Sequence, residues 1–245
     1  PLEGLNILVT RQETRESNLS EMLASRGAKV FKEPMSLILP PVSWKLFDHT
    51  AQHSAMIDWA VFTSSNGIRH CFLRLKELGL NSRKIFSNLR IACVGKSTAS
   101  TLAENGRTPE LVPKYYQSEG LAEAFNQYDL LNKIFWLIQA ESARKFLSIA
   151  LEKKGAQIIT TPVYRNVPTE VNQKSLMNLL KNQKIDWIIF TSPSAIQNFQ
   201  NLLPLEFWLS LSKVPKIACL GEITSSTAEN FGLTVDAKPE IQNFE

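Results

Sequence analysis

The sequence predicts an α/β protein made of two related units, each a parallel sheet covered by helices, and three observations predict it. Short runs of β-branched and aromatic residues (NILVT, AVFT, IACV, IFWLI, IIFT and IACL) are apolar without alternation, as strands buried on both faces of a parallel sheet must be. Amphipathic stretches lie between these runs, and alternating strands and helices imply an open sheet with helices on both sides. The pattern also occurs twice. DWAVFTSSNGI from Asp58 matches DWIIFTSPSAI from Asp186, 128 residues later. At the same offset of 128, Gly27, Ala28 and Pro34 recur as Gly155, Ala156 and Pro162. RIACVGKST from Arg90 matches KIACLGEIT from Lys216, and Gly106 matches Gly232, both at an offset of 126. Three matches in one order read as an internal duplication.

Leu19, Met22 and Leu23 mark one helical face, and Phe146, Leu147, Ala150 and Leu151 mark its counterpart. Each stretch ends at a glycine able to stop a helix. Two proline-bounded extended segments break the rhythm at equivalent points of the repeat, PMSLILPPV over 34–42 and PVYRNVP over 162–168. Read as paired linkers, they place residues 1–35 and 168–245 in one discontinuous α/β domain and residues 40–162 in a second. A sequential division into N- and C-terminal halves is the alternative.

With 245 residues, 44% hydrophobic and 20% charged, the composition is that of a folded globular chain rather than a disordered one. No run approaches the roughly 18 apolar residues of a membrane span, and no secretion signal opens the sequence, so a cytoplasmic protein without a membrane partner is expected. The sequence starts at Pro1 without an initiator Met and stops at PEIQNFE, where a further helix is expected, so a longer native chain is expected. Cys71, Cys93 and Cys219 have no CxxC spacing; they are expected to be small buried residues rather than disulfide or zinc partners. The net charge of +4 comes from dispersed Lys and Arg and suits an enzyme for an anionic metabolite as well as a weak nucleic-acid binder; charge alone does not choose between them, although no RNP, helix-turn-helix or finger pattern favours nucleic acid as a partner.

In an open α/β sheet, ligands bind beyond the carboxyl ends of the strands, where helix N-termini present free amides. Four turns are expected there: Thr63, Ser64, Ser65 and Asn66; Thr191, Ser192, Pro193 and Ser194; Gly95 to Thr98; and Gly221 to Thr224. Their small hydroxyls and amides suit carboxylate or hydroxyl ligands, although any one of them can be only a helix cap. Other motifs fail. VGKST lacks the earlier glycine of a phosphate loop, no GxGxxG follows the first strand, and no GxSxG is present. HTAQH at His49 and His53 lacks the Glu of a zinc hydrolase and a third ligand. His49, His53 and His70 are all expected away from the strand ends. Trp59 and Trp187, partners in the repeat, are expected in the core; Trp44, Trp136 and Trp208 carry no functional signal. Tyr164 lies in the second linker, where its phenol either reaches a ligand or packs the hinge.

FTSSNG at 62–67, FTSPSAI at 190–196, the CxGxxT turns at 93–98 and 219–224, PKYYQSEGL at 113–121 and GAQIITTPVYR at 155–165 together resemble the uroporphyrinogen-III synthase family over almost the whole chain. The resemblance implies two flavodoxin-like parallel-sheet domains joined by a two-stranded linker, with the substrate cleft between them. It implies cofactor-free closure of hydroxymethylbilane, an open tetrapyrrole with eight carboxylates, into a macrocycle with its last ring inverted and one water lost. It gives Tyr164 the tyrosine position associated with departure of the hydroxyl. It also gives Arg11, Thr63, Ser64, Ser65, Asn66, Thr98, Thr191, Ser192, Ser194, Lys216 and Thr224 as substrate contacts, with no metal ligand. A monomer is expected, with at most a transient contact with the preceding enzyme of the pathway. The sequence departs from the family at IQAES, 138–142, where an Arg-Gly pair is common and only Arg144 is near, and at Gln12, where Pro often follows the arginine. The rival classes fit less well. A two-lobed, non-enzymatic ligand-binding protein would share the duplication and the hydroxyl-rich turns but is usually exported, and a nucleotide-binding regulator would carry an acidic phosphoacceptor cluster or a phosphate loop.

Overall fold

The structure, a computed structural model, describes residues 2–13 and 19–239. The ends of the chain about which the sequence raised expectations, Pro1 and the segment after Pro239, therefore lie outside the described residues.

In chain order the first elements are β1 (Asn6–Val9), α1 (Leu19–Ser25), β2 (Lys29–Lys32) and β3 (Ser36–Leu39). They are followed by α2 (Lys45–Gln52), β4 (Trp59–Phe62), α3 (Ser65–Glu77), α4 (Ser82–Ile85), β5 (Arg90–Cys93) and α5 (Lys96–Glu104). Next come α6 (Ser118–Ala124), β6 (Ile134–Ala140), α7 (Phe146–Glu152) and β7 (Gln157–Pro168). The last are α8 (Gln173–Asn182), β8 (Trp187–Phe190), α9 (Pro193–Leu202), α10 (Leu205–Leu209), β9 (Lys216–Cys219) and α11 (Glu222–Asn230). Among the described residues no helix is long and apolar enough to cross a membrane.

The chain divides into a discontinuous unit, Pro1–Ile38 with Asn166–Glu245, and a central unit, Leu39–Arg165. Both crossings fall within the proline-bounded segments, which are strands β3 and β7 and neighbours in sheet order. The sheet of the discontinuous unit has the order β2-β1-β8-β9, all parallel. In the other sheet, β3-β7-β6-β4-β5, the four strands from β7 to β5 are parallel. Shifted by the repeat offsets, β2, β1, β8 and β9 fall on β7, β6, β4 and β5, so the two orders correspond strand for strand. A parallel bridge extends each sheet at matching points, Ala218 to Ala237 and Ala92 to Leu111. The direction of winding reverses between β1 and β8 in one sheet and between β6 and β4 in the other, and such reversals open a crevice at the carboxyl edge.

Burial of the strand side chains makes each sheet one wall of its own core. Leu8, Ile188, Phe190 and Ile217 meet Leu176, Leu180, Ile196 and Phe199 in the discontinuous unit. Trp59, Val61, Phe135 and Leu137 meet Leu121, Phe125, Leu147 and Leu151 in the central one. Each such side chain contributes about 1.5–3 kcal/mol by leaving water. The three cysteines are buried and free. Trp59 is fully buried and stacks on Phe135, with centroids 6.0 Å apart. Trp187, expected in the core, is only half-buried. As the first residue of β8 it sits at the amino edge of the sheet, where its ring is covered by the Lys216 ammonium at 5.4 Å.

The repeated glycines and aspartates have local causes. Gly27 and Gly155 take positive φ, 95° and 87°, and the next amide closes the helix end, Ala28 onto the Leu23 carbonyl and Ala156 onto the Leu151 carbonyl. An L side chain resists that conformation. The Asp before each repeated Trp satisfies the first amide of the adjoining strand. Asp58 Oδ2 accepts from the Ile134 N–H at 2.8 Å, and Asp186 Oδ2 from the Asn6 N–H at 2.7 Å. The other oxygen of each pairs with a lysine, Lys133 and Lys213 respectively. At Asp58 burial pushes the carboxyl upward but is outweighed by the Ile134 amide, Lys133 and Arg90, leaving it below its ordinary range. Lys213 and the Asn6 amide hold Asp186 down as well.

A carboxyl whose pKa is lower folded than unfolded contributes stability above its unfolded value, about 3.9, and loses it as pH falls through the depressed folded value. Asp58→Asn and Asp186→Asn are therefore expected to lower the melting temperature at pH 7 and to flatten its decline between about pH 5 and pH 2. Parallel melting curves for variant and wild type across that range would show that neither carboxylate is linked to folding.

Candidate active site

In the central unit the site is built on the turn that follows β4. Ser64 leaves the strand in an extended conformation and caps α3, its Oγ accepting from the Gly67 N–H at 3.0 Å. The same Oγ is 3.0 Å from the hydroxyl of Tyr164. Tyr164 reaches this position because β7 contains Pro162, which has no N–H to give the ladder. The register slips there: Gln139 pairs with Pro162 but Ala140 with Tyr164, one residue more on β7 than on β6. Such a bulge re-aims a side chain, and it sets Tyr164 opposite the last residue of β6, at the carboxyl edge. The Glu141 N–H holds the Tyr164 carbonyl at 2.8 Å. Burial pushes the phenol above its ordinary range, and the Ser64 hydrogen bond offsets part of that rise. Tyr164 is consequently a neutral hydrogen-bond donor at physiological pH.

The turn after β5 joins the same edge. Its Ser97 Oγ lies 3.2 Å from Ser65 Oγ. Gly95 is the cap residue of α5, so Thr98 stands at the third helical position, buried, and is not a cap. Thr63 and Asn66 are half-buried on either side of Ser64 and Ser65.

In the discontinuous unit the corresponding positions recur. Ser192 caps α9 through the Ala195 N–H at 3.3 Å and touches Ser194 Oγ at 3.1 Å. Thr191 precedes it, half-buried. Gly221 is the cap residue of α11, and Thr224, three positions on, is buried. Thr10 donates to the Ile189 carbonyl at 2.7 Å, tying the ends of β1 and β8 together, and Arg11 follows directly. Gln12, the residue that replaces the usual proline, accepts the Ile38 N–H through its side chain at 2.9 Å and so anchors β3. In the other departure from the family pattern, Arg144 forms an ion pair with Glu119 at 3.0 Å.

Each unit thus gathers its own set: Thr63, Ser64, Ser65, Asn66, Thr98 and Tyr164 in one, Arg11, Thr191, Ser192, Ser194 and Thr224 in the other. Lys216 does not join them. It opens β9, and in a parallel sheet the first residue of a four-residue strand lies roughly 10 Å from the carboxyl edge. The rings of His49 on α2 and His53 just past its end lie 4.3 Å apart with planes tilted by 34°, and no metal-holding group of three His, Cys, Asp or Glu side chains occurs among the described residues. His70, expected away from the strand ends, is a correction: its ring is stacked on Tyr164, with centroids 5.7 Å apart and planes 22° from parallel. The contact depends on the phase of α3 and the bulge in β7 together, and neither is visible in sequence.

The family model described as uroporphyrinogen-III synthase HemD matches residues 17–245. The chain belongs to the uroporphyrinogen-III synthase family. It is 28% identical over 235 residues to the uroporphyrinogen-III synthase of Synechococcus elongatus, covering 94% of this chain and 87% of that one. It is 26% identical over 230 residues to a putative uroporphyrinogen-III synthase of Methanothermobacter thermautotrophicus, covering 92% and 89%. Among solved structures, a mutant uroporphyrinogen III synthase from Thermus thermophilus superposes with a TM-score of 0.71 at 16% identity, over 98% of this chain and 94% of that one. The enzyme from Helicobacter pylori gives 0.62 at 17% identity, over 98% and 94%. At these identities the structures establish the shared fold, and the family assignment rests on the sequence matches.

Ser64 and Ser192 are both caps, but only Ser64 also holds a tyrosine. Ser192→Ala should cost about 1 kcal/mol of stability. Ser64→Ala should cost about 0.5–1.5 kcal/mol more, because it also strands a buried phenol. Equal losses in denaturant titrations would mean that the Ser64–Tyr164 hydrogen bond contributes nothing.

Proposed function

We propose that the chain cyclises hydroxymethylbilane to uroporphyrinogen III, inverting the last pyrrole ring and releasing one water. The observation that carries this reading, beside family membership, is a neutral tyrosine at a strand carboxyl edge with its hydroxyl held by a helix-cap serine. Ser64 Oγ accepts the Gly67 amide, and either hydroxyl of the Ser64–Tyr164 pair can donate to the other; in this reading Ser64 donates to Tyr164 Oη, which leaves the phenolic proton for the substrate. In this reading the carbon–oxygen bond breaks with electrons supplied by a pyrrole nitrogen, and the Tyr164 proton turns the departing hydroxyl into water. The resulting azafulvenium is attacked by the substituted carbon of the last ring, giving a spiro intermediate; the original bond from that carbon to its methylene then breaks, and the methylene bonds to the ring's unsubstituted carbon, which inverts the ring. The proton released as the macrocycle forms restores the phenol.

Direct closure at the unsubstituted carbon needs no enzyme, so positioning is the main demand on the protein, and orientation can supply several kcal/mol of it. Free amides and hydroxyls of the four turns, with Arg11, are assigned to the substrate carboxylates; Lys216 is not, because of its place at the amino edge. No metal, flavin or nicotinamide takes part. The same reading makes the enzyme a cytoplasmic monomer in transient contact with the enzyme that makes the bilane.

The test is incubation with enzymatically generated hydroxymethylbilane and separation of the type I and type III ring isomers. Wild type should give type III; production of type I alone would overturn the reading. Tyr164→Phe should fold normally and lose about 10²-fold in turnover, the usual scale of acid–base assistance, while still making type III. Thr98→Val and Thr224→Val should impair isomer-specific closure by more than their loss of stability explains, since neither threonine is a cap. Specific activity that survives Thr224→Val intact would return that residue to packing alone.

A further inference from the structure

The hydrogen bond to Ser64 fixes where the Tyr164 oxygen is, but one point of attachment leaves the plane of the ring free to turn about it. A second contact supplies that constraint. His70 projects from α3, the helix that Ser64 caps, and its imidazole lies against the Tyr164 ring at 5.7 Å and 22°. One rigid helix therefore holds both the hydroxyl and the face of the phenol. The corresponding place in the discontinuous unit is used the same way. Asn198, at the repeat offset of 128 from His70, projects from α9 and donates to the Met35 carbonyl at 2.8 Å, just before β3. In each unit, then, the helix after the hydroxyl-rich turn grips the adjoining proline-bounded segment through a polar side chain at this position. In the central unit what it grips is the tyrosine.

We propose that His70 is a positioning residue for Tyr164, its imidazole face setting the plane of the phenol whose oxygen Ser64 holds. The inference rests on the reading of Tyr164 as proton donor. His70 is neutral in this role: burial, helped by the charge of adjacent Arg69, holds its imidazole below the ordinary range. A flat ring, rather than a charge or a transferable proton, is what the contact requires.

The experiment is a double-mutant cycle read by steady-state kinetics on hydroxymethylbilane, with thermal melts and near-ultraviolet circular dichroism to establish folding. His70→Ala should lower kcat roughly three- to tenfold, the scale of one lost aromatic contact, with KM changed by less than about twofold. His70→Phe, which keeps a flat ring but neither nitrogen, should restore most of that loss. In a Tyr164→Phe background there is no hydroxyl left to aim, so adding His70→Ala should cost nothing further in kcat. Wild-type turnover in His70→Ala, beside an impaired Tyr164→Phe, would overturn this inference and leave the proton-donor reading standing. Equal losses from His70→Ala in both backgrounds, or failure of His70→Phe to restore activity, would also overturn it. Wild-type turnover in Tyr164→Phe would instead remove the donor reading, and the inference with it.

Discussion

Parallel pairing is the constraint on which the rest of this structure depends. Because β6 pairs in parallel with both β4 and β7, the end of each strand where its helix begins falls on the same edge of the sheet. Hydroxyls far apart in sequence then become neighbours without any dedicated loop. Ser64 and Tyr164, 100 residues apart, meet because β4 and β7 flank β6 in register. The same rule removes Lys216. A residue that precedes its glycine turn by only five positions ends up at the opposite edge, because a strand intervenes.

Ser64 is the most heavily used side chain at that edge. One oxygen satisfies the Gly67 amide in the first turn of α3 and also holds the phenol, so the residue that starts the helix is the one that meets Tyr164. Its repeat partner Ser192 performs the first task alone. The difference lies in the adjoining strand: the repeat offset carries Tyr164 onto Ser36, which offers no ring to hold. The two units share a scaffold of matching strand order, aspartate brackets and glycine helix stops, and they diverge at the residues that face the carboxyl edge. That division between scaffold and edge is what an open α/β sheet permits, since core positions are fixed by packing and edge positions are not.

Pro162 shows how a local defect can be put to use. A proline within a strand removes one rung of the ladder, and the bulge that accommodates it places Tyr164, rather than Val163, opposite Ala140. Val163 is nevertheless fully buried, and Tyr164 nearly so, so the slip is locked by packing on both sides. The result is a phenol held in one place by the backbone, by Ser64 and by the His70 ring.

The sequence by itself determined the alternation of strands and helices, the offsets of the repeat, the helix-capping serines and the glycine stops. All of these follow from hydrophobic period and from backbone preferences acting within a few residues. It also brought Tyr164 and the four turns forward as the places for chemistry, and the family resemblance followed from their order along the chain. What only the tertiary structure decided were matters of register and phase. Whether Tyr164 or Val163 stands opposite Ala140 depends on where the β6–β7 ladder slips. His70 meets Tyr164 only once the phase of α3 and that slip are both set. Trp187 and Lys216 stand at the amino edge for one reason: a residue's height along a strand is set by pairing with strands distant in sequence, and a short run of amino acids does not record which edge of the sheet it will occupy.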